Sequence, residues 1–470
     1  MAGELAGLLD AQRRASRSRP PTTAVERKDR LRRAIDLLVT NQAAFCDALA
    51  SDFGGRSREQ SQLYDIVGSI QTLKHAIRHL DRWMRPEKRP VDSMLALFGA
   101  SAWIEYQPKG VVGLLSPWNF PINLTFTPLA GIFAAGDSVM IKPSEHTPAT
   151  SELMAEAVKQ NFGAEEAVVV TGGADVAAAF SGLAFDHLIF TGSTAVGRHV
   201  MRAAADNLVP LTLELGGKSP VIVGQNPDCP LMADRIVTGK LLNAGQICLA
   251  PDYLLVPEDL EGRIVDHLVA AAERLYPNLG ANPDYAAVLG DRNRARLTRY
   301  LDEARQRGAR LVEVGADAKG LRKPFTIVRD CPPDAAVMTE EIFGPVLPLI
   351  RYRRIEEAID FVNSRPRPLG LYVFSREPSE QRAIVTGTVS GGVTINDVIF
   401  HVTVEDLPFG GVGQSGFGAY HGFEGFKSFS HAKGVFRQSS IDVAGLAGLR
   451  PPYGAKIRKY ISRQLSRDLN

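Results

Sequence analysis

The pattern of apolar and polar residues predicts helices over the first hundred positions. Between positions 63 and 80, apolar residues recur every three or four positions, which is the period of one face of an α-helix. These residues are Leu63, Ile66, Ile70, Leu73, Ile77 and Leu80. Pro86 and Pro90 end the pattern, because proline lacks a backbone N–H and interrupts a helix. We expect residues 95–106 to be extended, as a hairpin that stands apart from the core.

From position 110 onward, short apolar runs alternate with helical stretches. The runs that predict strands are Val111–Leu115, Ser138–Ile141, Ala167–Val170 and His187–Phe190. Repeated β-α units of this length are typical of a parallel, doubly wound sheet, which binds dinucleotides at its carboxyl edge. A second alternation over residues 220–398 predicts another α/β domain. The expected fold class is therefore α/β, with a Rossmann-like dinucleotide-binding domain and a second α/β domain.

Composition narrows the class of protein further. The 470 residues are 45% hydrophobic and 23% charged, as in ordinary globular proteins. The formal net charge of +2 indicates no affinity for nucleic acid. Residues 110–136 carry no charge, but three prolines and two asparagines make them a poor membrane span. We expect neither a nucleic-acid partner nor a stable membrane anchor.

The cysteines and the two ends of the chain point to a cytoplasmic protein. The first twenty residues lack the apolar core of a signal peptide. The four cysteines are scattered without a C-x-x-C pair, which argues against a disulfide framework and against a zinc site. In the basic tail 436–470, Ile457, Ile461 and Leu465 are spaced by four. This spacing predicts a surface helix, with a membrane-surface anchor as the alternative.

Cys248 is the candidate nucleophile. It lies in Asn243-Ala-Gly-Gln-Ile-Cys-Leu-Ala-Pro-Asp-Tyr253, among small residues, a glycine and an amide rather than bulky apolar residues. A thiolate attacks carbonyl carbon well wherever charge and access favour its formation. The alternative is a packed core thiol, which is the commoner fate of a free cysteine.

Two other polar residues occupy unusual positions. Glu214 ends the alternating run 211–215 and precedes two glycines, where it is either a general base or an ion-paired structural carboxylate. Asn119 lies in the proline-bounded loop Ser116-Pro-Trp-Asn-Phe-Pro121. Its amide either donates to a developing oxyanion or caps a turn.

Two segments that follow predicted strands are suited to a dinucleotide. Phe190-Thr-Gly-Ser-Thr-Ala-Val-Gly197 leads from a strand into a helix, and backbone N–H groups at a helix start bind pyrophosphate. The alternative is an ordinary N-cap by Ser193. Lys142-Pro-Ser-Glu145 ends another strand, where both charged groups either hold an adenosine ribose or form a solvated pair. A negative Glu145 would repel a 2′-phosphate, which favours NAD over NADP.

Two further motifs lie late in the chain. They are Glu340-Glu-Ile-Phe-Gly-Pro345 and Pro408-Phe-Gly-Gly-Val-Gly-Gln-Ser-Gly416. The second is too rich in glycine for a regular element, and we expect a close crossing of backbone there.

The order and spacing of these seven motifs resemble the aldehyde dehydrogenase superfamily over about residues 25–435. The spacing includes 34 residues between the glutamate of Glu-Leu-Gly-Gly-Lys and the cysteine of Gly-Gln-x-Cys. The short N-terminus, Ala250-Pro-Asp-Tyr253 and Gly418-Ala-Tyr-His-Gly422 are similar to the class 3 branch. Within that branch the chain is most similar to coniferyl aldehyde dehydrogenases, partly through Arg450-Pro-Pro-Tyr453.

The resemblance implies a role for each motif. Cys248 attacks the aldehyde, the Asn119 amide and the Cys248 backbone N–H hold the oxyanion, and Glu214 activates the water that hydrolyses a thioester. The implied cofactor is NAD, with NADP possible. The residues implied to bind it are Trp118, Lys142, Glu145, Gly192, Ser193, Gly197, Leu215, Glu341 and Phe343. The residues implied to line the substrate tunnel are Leu242, Ile247, Leu249, Ile399 and Phe400.

The resemblance also implies a domain plan and a substrate. An NAD(P)-binding domain would span residues 1–85 and 107–214, and a catalytic domain residues 215–401. A β bridging unit would span residues 86–106 and 402–435 and exchange contacts across a homodimer. The apolar tunnel residues favour an aromatic, coniferyl-type aldehyde, with medium- or long-chain aliphatic aldehydes as the alternative. Because Cys248, Glu214 and Asn119 are all present, an active enzyme is favoured over a silent structural or membrane-surface relative.

Overall fold

A computed structural model describes residues 2–316, 318, 320–446 and 448–465 of the chain. The strands are β1 (Glu87–Arg89), β2 (Ser101–Pro108), β3 (Val111–Leu115), β4 (Ser138–Lys142), β5 (Ala167–Val169), β6 (His187–Gly192), β7 (Leu211–Leu215), β8 (Pro220–Val223), β9 (Tyr253–Pro257), β10 (Arg310–Val314), β11 (Phe325–Arg329), β12 (Val346–Tyr352), β13 (Gly370–Phe374), β14 (Gly392–Ile395), β15 (Gly416–Phe417) and β16 (Ser430–Arg437).

The α-helices are α1 (Ala2–Arg17), α2 (Ala24–Phe53), α3 (Arg58–Gln60), α4 (Gly68–Trp83), α5 (Ser93–Leu97), α6 (Asn123–Ala135), α7 (Pro148–Asn161), α8 (Ala174–Ser181), α9 (Thr194–Ala205), α10 (Cys229–Leu241), α11 (Glu261–Leu275), α12 (Asp291–Gln306), α13 (Ala336–Thr339), α14 (Ile355–Asn363), α15 (Pro378–Gly387), α16 (Gly422–Phe429), α17 (Val443–Leu446) and α18 (Ala455–Gln464). A π-helix spans Ser61–Val67, and 3₁₀ turns span Leu242–Gly245, Glu258–Leu260, Leu279–Ala281, Phe400–Thr403 and Gly413–Ser415.

The first sheet confirms the predicted dinucleotide-binding architecture. Its six strands run in the order β15-β7-β6-β3-β4-β5, and all neighbours are parallel except β15 and β7. The four predicted strands are present and differ from the prediction by at most two residues at their ends. All five residues of β3 are buried, as expected of a strand covered by helices on both faces. The carboxyl ends of β4, β6 and β7 carry the predicted cofactor motifs.

The second sheet confirms the second α/β region. Its seven strands run in the order β10-β11-β12-β9-β8-β13-β14, and only β10 is antiparallel to its neighbour. Helix α10 packs beside α11 against this sheet and leads directly into the loop that carries Cys248. The position of the thiol therefore depends on how α10 ends.

A third, three-stranded antiparallel sheet lies apart from the other two, in the order β1-β2-β16. The prediction of extended chain over residues 95–106 is wrong at its start. Helix α5 covers residues through Leu97, and strand β2 begins only at Ser101. The run Leu95-Ala-Leu-Phe98 has too few residues for its helical or extended character to be distinguished from sequence. The predicted domain boundaries stay a prediction.

The predicted helix over residues 63–80 is present but is not one regular α-helix. Residues Ser61–Val67 form a π-helix that runs into α4. A π-helix has a wider turn, which shifts the phase of the apolar face. Ile66, Leu73 and Leu80 are buried as expected, whereas Leu63 is 55% exposed. The assignment of Leu63 to the buried stripe is therefore wrong.

The C-terminal tail contains the predicted surface helix, α18. Ile457 is buried, while Ile461 and Leu465 are exposed, so its apolar contact is narrow. Residues 466–470 of the predicted tail lie outside the described residues. Across the described parts of the chain, no helix combines the length and the apolar character that crossing a membrane requires.

Candidate functional site

The loop that carries Cys248 begins with a sharp left-handed turn after α10. Asn243, Ala244 and Gly245 have φ values of 49°, 53° and 76°. Non-glycine residues adopt this conformation at a cost, and such strain is concentrated at functional sites. A side chain at Gly245 would overlap the carbonyl of Gly344, so only glycine fits there. Because of this turn, the backbone leaves helical geometry before it reaches Cys248.

Gln246 fixes this loop from within. Its buried side chain donates to the carbonyls of Asn243, at 2.8 Å, and Ala287, at 3.0 Å, and accepts from the backbone N–H of Leu289 at 2.8 Å. All hydrogen-bonding groups of the amide lie away from solvent, which makes the arrangement costly to distort. Cys248 itself remains partly exposed.

Glu214 lies on β7 and is 1% exposed. Neither carboxylate oxygen has a hydrogen bond of ordinary geometry to a described residue, although the Cys248 thiol and the Thr191 hydroxyl are close enough to favour the charged form. Burial outweighs both and raises the pKa of Glu214 to about 7. A carboxyl group with a pKa near neutral is well suited to general base catalysis.

The predicted crossing of backbone lies at this carboxylate. Gly416 of β15 pairs with Glu214, and a side chain at Gly416 would overlap the carbonyl of Leu213. Gly416 has a φ of 123°, which favours glycine. The late glycine-rich loop therefore packs directly on the strand that carries Glu214.

The surroundings of the Cys248 thiol disfavour its thiolate form. Burial raises the pKa of Cys248 well above its usual value, and the negative charges of Glu214 and Glu341 raise it further. Attack on a carbonyl carbon therefore requires the thiol to lose its proton. The contact of the thiol with the Glu214 carboxylate contributes to this pKa shift.

Asn119 connects its own loop to the Cys248 loop. Its side-chain nitrogen donates to the carbonyl of Gln246 at 3.1 Å, and its own carbonyl accepts from Asn243 at 3.0 Å. The Asn119 residue is 3% exposed, and its side-chain nitrogen carries a second hydrogen besides the one donated to Gln246. The structure thus brings Asn119, Cys248 and Glu214 into one site.

The predicted phosphate-binding segment joins β6 to α9. Ser193 caps α9, with its hydroxyl accepting from the Val196 N–H at 3.4 Å, so the N-cap alternative is correct and the phosphate-binding role stays a prediction. A side chain at Gly197 would approach Leu215 to 2.6 Å, which explains the glycine where the helix packs on the end of β7. Gly192, by contrast, ends the strand with a partly exposed backbone.

Lys142 and Glu145 lie at the end of β4. The ammonium of Lys142 is 3.4 Å from a carboxylate oxygen of Glu145 and donates to the carbonyl of Pro143 at 2.7 Å. Lys142 is buried, and burial lowers its pKa, whereas Glu145 is exposed. An exposed carboxylate beside a buried ammonium leaves hydrogen-bonding capacity toward a ligand.

The Glu341 carboxylate lies against the two glycines that follow Glu214 and Leu215. A side chain at Gly216 would overlap the Glu341 carboxylate, and the Glu341 Oε1 atom has no hydrogen-bond partner within the described chain. Burial, followed by the charge of Asp252, raises the pKa of Glu341 to about 8. Nearby, the Phe343 ring meets the edge of Trp118 with centroids 5.3 Å apart.

The five predicted tunnel residues differ in exposure. Leu242, Ile247 and Leu249 are buried, Ile399 is partly buried, and Phe400 is 61% exposed. Ile399 has a φ of 68°, which is an unfavourable conformation for a β-branched residue. The set therefore runs from the core beside Cys248 to the surface.

Two further buried polar residues near the site are absent from the predicted site residues. The Tyr420 hydroxyl is buried without a hydrogen-bond partner among the described residues, and the charges of Glu214 and Cys248 help to raise its pKa. The Lys240 ammonium is also buried without such a partner, and burial lowers its pKa to about 8. Tyr420 belongs to the segment Gly418-Ala-Tyr-His-Gly422 that resembles the class 3 branch, whereas the only signal for Lys240 is its position just before the Cys248 turn. No group of three described His, Cys, Asp or Glu residues could hold a metal ion.

Known proteins resemble the chain over nearly its whole length. The aldehyde dehydrogenase family matches residues 5–435. A protein of Caulobacter vibrioides named "Probable coniferyl aldehyde dehydrogenase" is 52% identical over 467 residues, covering 98% of this chain and 96% of that protein. "Coniferyl aldehyde dehydrogenase" of a Pseudomonas species is 50% identical, covering 99% and 97%. The substrate-bound structure of Staphylococcus aureus AldH has a TM-score of 0.91 at 33% identity, covering 98% and 99%.

Two further relatives bear on the cofactor. The structure of PnpE in complex with nicotinamide adenine dinucleotide has a TM-score of 0.85 at 26% identity and covers 94% of this chain and 91% of that one. A rat protein named "Aldehyde dehydrogenase, dimeric NADP-preferring" is 38% identical and covers 89% and 91%. The chain belongs to the aldehyde dehydrogenase family. It is an aldehyde dehydrogenase that uses NAD or NADP.

Proposed function

We propose that the protein oxidises an aromatic, coniferyl-type aldehyde to the carboxylic acid. The observation that carries the proposal is the name shared by the two relatives at 52% and 50% identity. The apolar character of the five tunnel residues supports it, since none of them would bind a second carboxylate. The proposal rests on chemistry that the residues around Cys248 can perform.

In the proposed mechanism, the Cys248 thiol releases its proton to solvent, and the thiolate sulfur forms a bond to the aldehyde carbon. The carbonyl oxygen becomes an oxyanion, which the Asn119 amide and the Cys248 backbone N–H hold. After oxidation of this thiohemiacetal, Cys248 carries the acyl group as a thioester. Glu214 then takes a proton from the water that attacks the thioester carbon and passes this proton to the leaving sulfur, which releases the acid and the Cys248 thiol.

The residues present fit a dinucleotide. Glu341 offers an unpartnered carboxylate oxygen suited to ribose hydroxyls, Lys142 and Glu145 offer a donor and an acceptor, and the start of α9 offers backbone N–H groups to phosphate. A bound NAD would supply the acceptor for the hydride that this oxidation removes. Trp118 and Phe343 would pack beside it, and Gly192 and Gly197 let the backbone approach it.

Replacing Glu145 by alanine is expected to improve the use of NADP relative to NAD. The exposed carboxylate would repel the 2′-phosphate of NADP and accept a hydrogen bond from the 2′-hydroxyl of NAD. Its removal should therefore strengthen the binding of NADP and weaken the binding of NAD. We expect the ratio of kcat/KM for NADP to that for NAD to rise about 10-fold or more, because that is the effect of losing one hydrogen bond to a charged group. Glu152→Ala, on the following helix, is the control. An unchanged ratio would contradict the ribose role of Glu145.

Aromatic aldehydes are expected to be better substrates than aliphatic ones. Flat rings bury more surface per rotatable bond than a flexible chain, which loses conformational freedom on binding. We expect kcat/KM for coniferaldehyde to exceed that for decanal by about 10-fold or more, which is the effect of a small difference in apolar contact. Equal values would leave the aliphatic alternative standing and remove the aromatic preference.

We further propose that the protein is a cytoplasmic homodimer. Strands β14 and β16 end their sheets and leave backbone groups available for pairing, and Phe436 on β16 is 52% exposed. The rat relative is named as dimeric. Light scattering is expected to give a mass of twice the 51.0 kDa of one chain. A mass of one chain at micromolar concentration would contradict the proposal.

A further inference from the structure

A buried ion pair lies next to the Asn119 loop. The Arg56 Nη2 atom is 2.6 Å from the Asp65 Oδ2 atom, and both side chains are completely buried. The guanidinium also lies over the rings of Phe53, at 5.0 Å, and Phe120, at 4.7 Å. Burying two charges is favourable only when further hydrogen bonds satisfy their remaining atoms.

The remaining hydrogen bonds of the pair go to the Asn119 loop and to the start of α6, while the Arg56 Nε atom has no partner among the described residues. Arg56 Nη1 donates to the Asn119 carbonyl at 3.1 Å. Asp65 Oδ1 accepts from the backbone N–H groups of Ile122 and Asn123, each at 3.1 Å. The ion pair therefore holds the loop on both sides of Phe120-Pro121.

Gln60, which lies between Arg56 and Asp65 in the chain, also contacts the turn that precedes Cys248. Gln60 accepts from the Asn243 N–H at 3.3 Å and donates to the carbonyl of Asp284. Asn243 in turn donates to the Asn119 carbonyl at 3.0 Å, so this oxygen accepts from both Arg56 and Asn243. One backbone atom thus joins the two loops of the site.

Of the residues that make these contacts, Asp65 lies in the π-helix Ser61–Val67 and Gln60 directly precedes it. Asp65 and Ile66 are adjacent and both buried. π-Helical turns are rare and occur frequently at functional sites.

We propose that Arg56, Gln60 and Asp65 are positioning residues that hold the Asn119 amide where the oxyanion forms. The inference rests on the proposed role of Asn119. Small displacements of a positioned group lower rates strongly, by about 100-fold for a shift of 1 Å. The three residues touch neither substrate nor cofactor in this account and act through the backbone of Asn119.

Arg56→Lys is the sharpest variant. A lysine keeps the positive charge beside Asp65, but its single ammonium cannot reproduce the guanidinium fork that also reaches the Asn119 carbonyl. We expect kcat to fall on the order of 10–100-fold. The Kd for NAD, measured by calorimetry, should stay within twofold. Arg58→Lys is the matched control, because Arg58 pairs with Asp47 at the exposed surface and should leave kcat unchanged.

A double-mutant cycle separates positioning from general damage. Asn119→Ala should lower kcat on the order of 10²–10³-fold, and adding Arg56→Lys to it should lower kcat no further. Effects that multiply in the double variant would overturn the proposal, since Arg56 would then act independently of Asn119. An Asn119→Ala variant with full activity would instead show that the proposed oxyanion role is wrong. Any aldehyde that the native enzyme oxidises serves for the cycle.

Asp65→Asn is measured in the same cycle and decides the outcome if Arg56→Lys does not fold. Asparagine still accepts from the Ile122 and Asn123 N–H groups but loses the charge that orients Arg56. We expect the same pattern, a fall in kcat that disappears in the Asn119→Ala background. Wild-type kcat in a folded Asp65→Asn or Arg56→Lys variant would overturn the proposal.

Discussion

Replacing Cys248 by alanine is expected to abolish aldehyde oxidation, with kcat lowered by at least about 10⁴-fold, as for other covalent nucleophiles. The methyl group of alanine cannot form the thiohemiacetal, and without a covalent intermediate the oxidation has no low-energy route. NAD binding should be unaffected, because the cofactor residues belong to other loops. Initial rates and calorimetric titration with NAD measure the two effects separately.

The matched control for this variant is Cys331→Ala. Cys331 is another buried thiol, whose pKa burial raises to about 11, and it has no contact with Glu214 among the described residues. We expect full activity. Retained activity in Cys248→Ala, or its loss in Cys331→Ala with intact folding, would contradict the assignment of the nucleophile.

Replacing Glu214 by glutamine should slow hydrolysis of the thioester more than hydride transfer. A positioned base contributes about 10²–10⁴-fold to a proton transfer, so steady-state kcat should fall by that amount. Rapid-mixing absorbance at 340 nm should then show a burst of one NADH per active site, followed by the slow phase. Loss of the burst itself would mean that Glu214 chiefly activates the thiol.

The same carboxyl group predicts the pH dependence of the native enzyme. Because burial raises the pKa of Glu214 to about 7, the group is protonated and inactive as a base below that pH. Steady-state kcat should therefore rise with pH through about 7 and level off above it. In Glu214→Gln this rise of kcat with pH should disappear. A rise that persists in the variant would assign the titration to another group.

The architecture was predictable because parallel strands leave a strong signal in the sequence. Runs such as Val111–Leu115 are apolar throughout since helices cover both faces of the sheet. The chemistry was predictable for a different reason: Asn119, Glu214 and Cys248 lie in motifs whose spacing resembles one family. Neither signal depends on knowing which residues meet in space.

The features that the sequence did not predict depend on long-range contacts or on irregular backbone. The contact of Arg56 with Asn119 joins positions 63 residues apart, and that of Gln60 with Asn243 joins positions 183 apart. No periodicity encodes either one. Leu63 was misassigned because a π-helix interrupts the period of 3.6 residues on which the prediction relied.

The central claim is that acyl transfer passes through Cys248. The most direct measurement is to mix Glu214→Gln with NAD and coniferaldehyde, quench with acid after the burst and map the acyl adduct by peptide mass spectrometry. The account predicts a single acylated peptide, the one that contains Cys248, with about one adduct per NADH formed in the burst. A burst without that adduct, or an adduct on Cys46, Cys229 or Cys331, would contradict it.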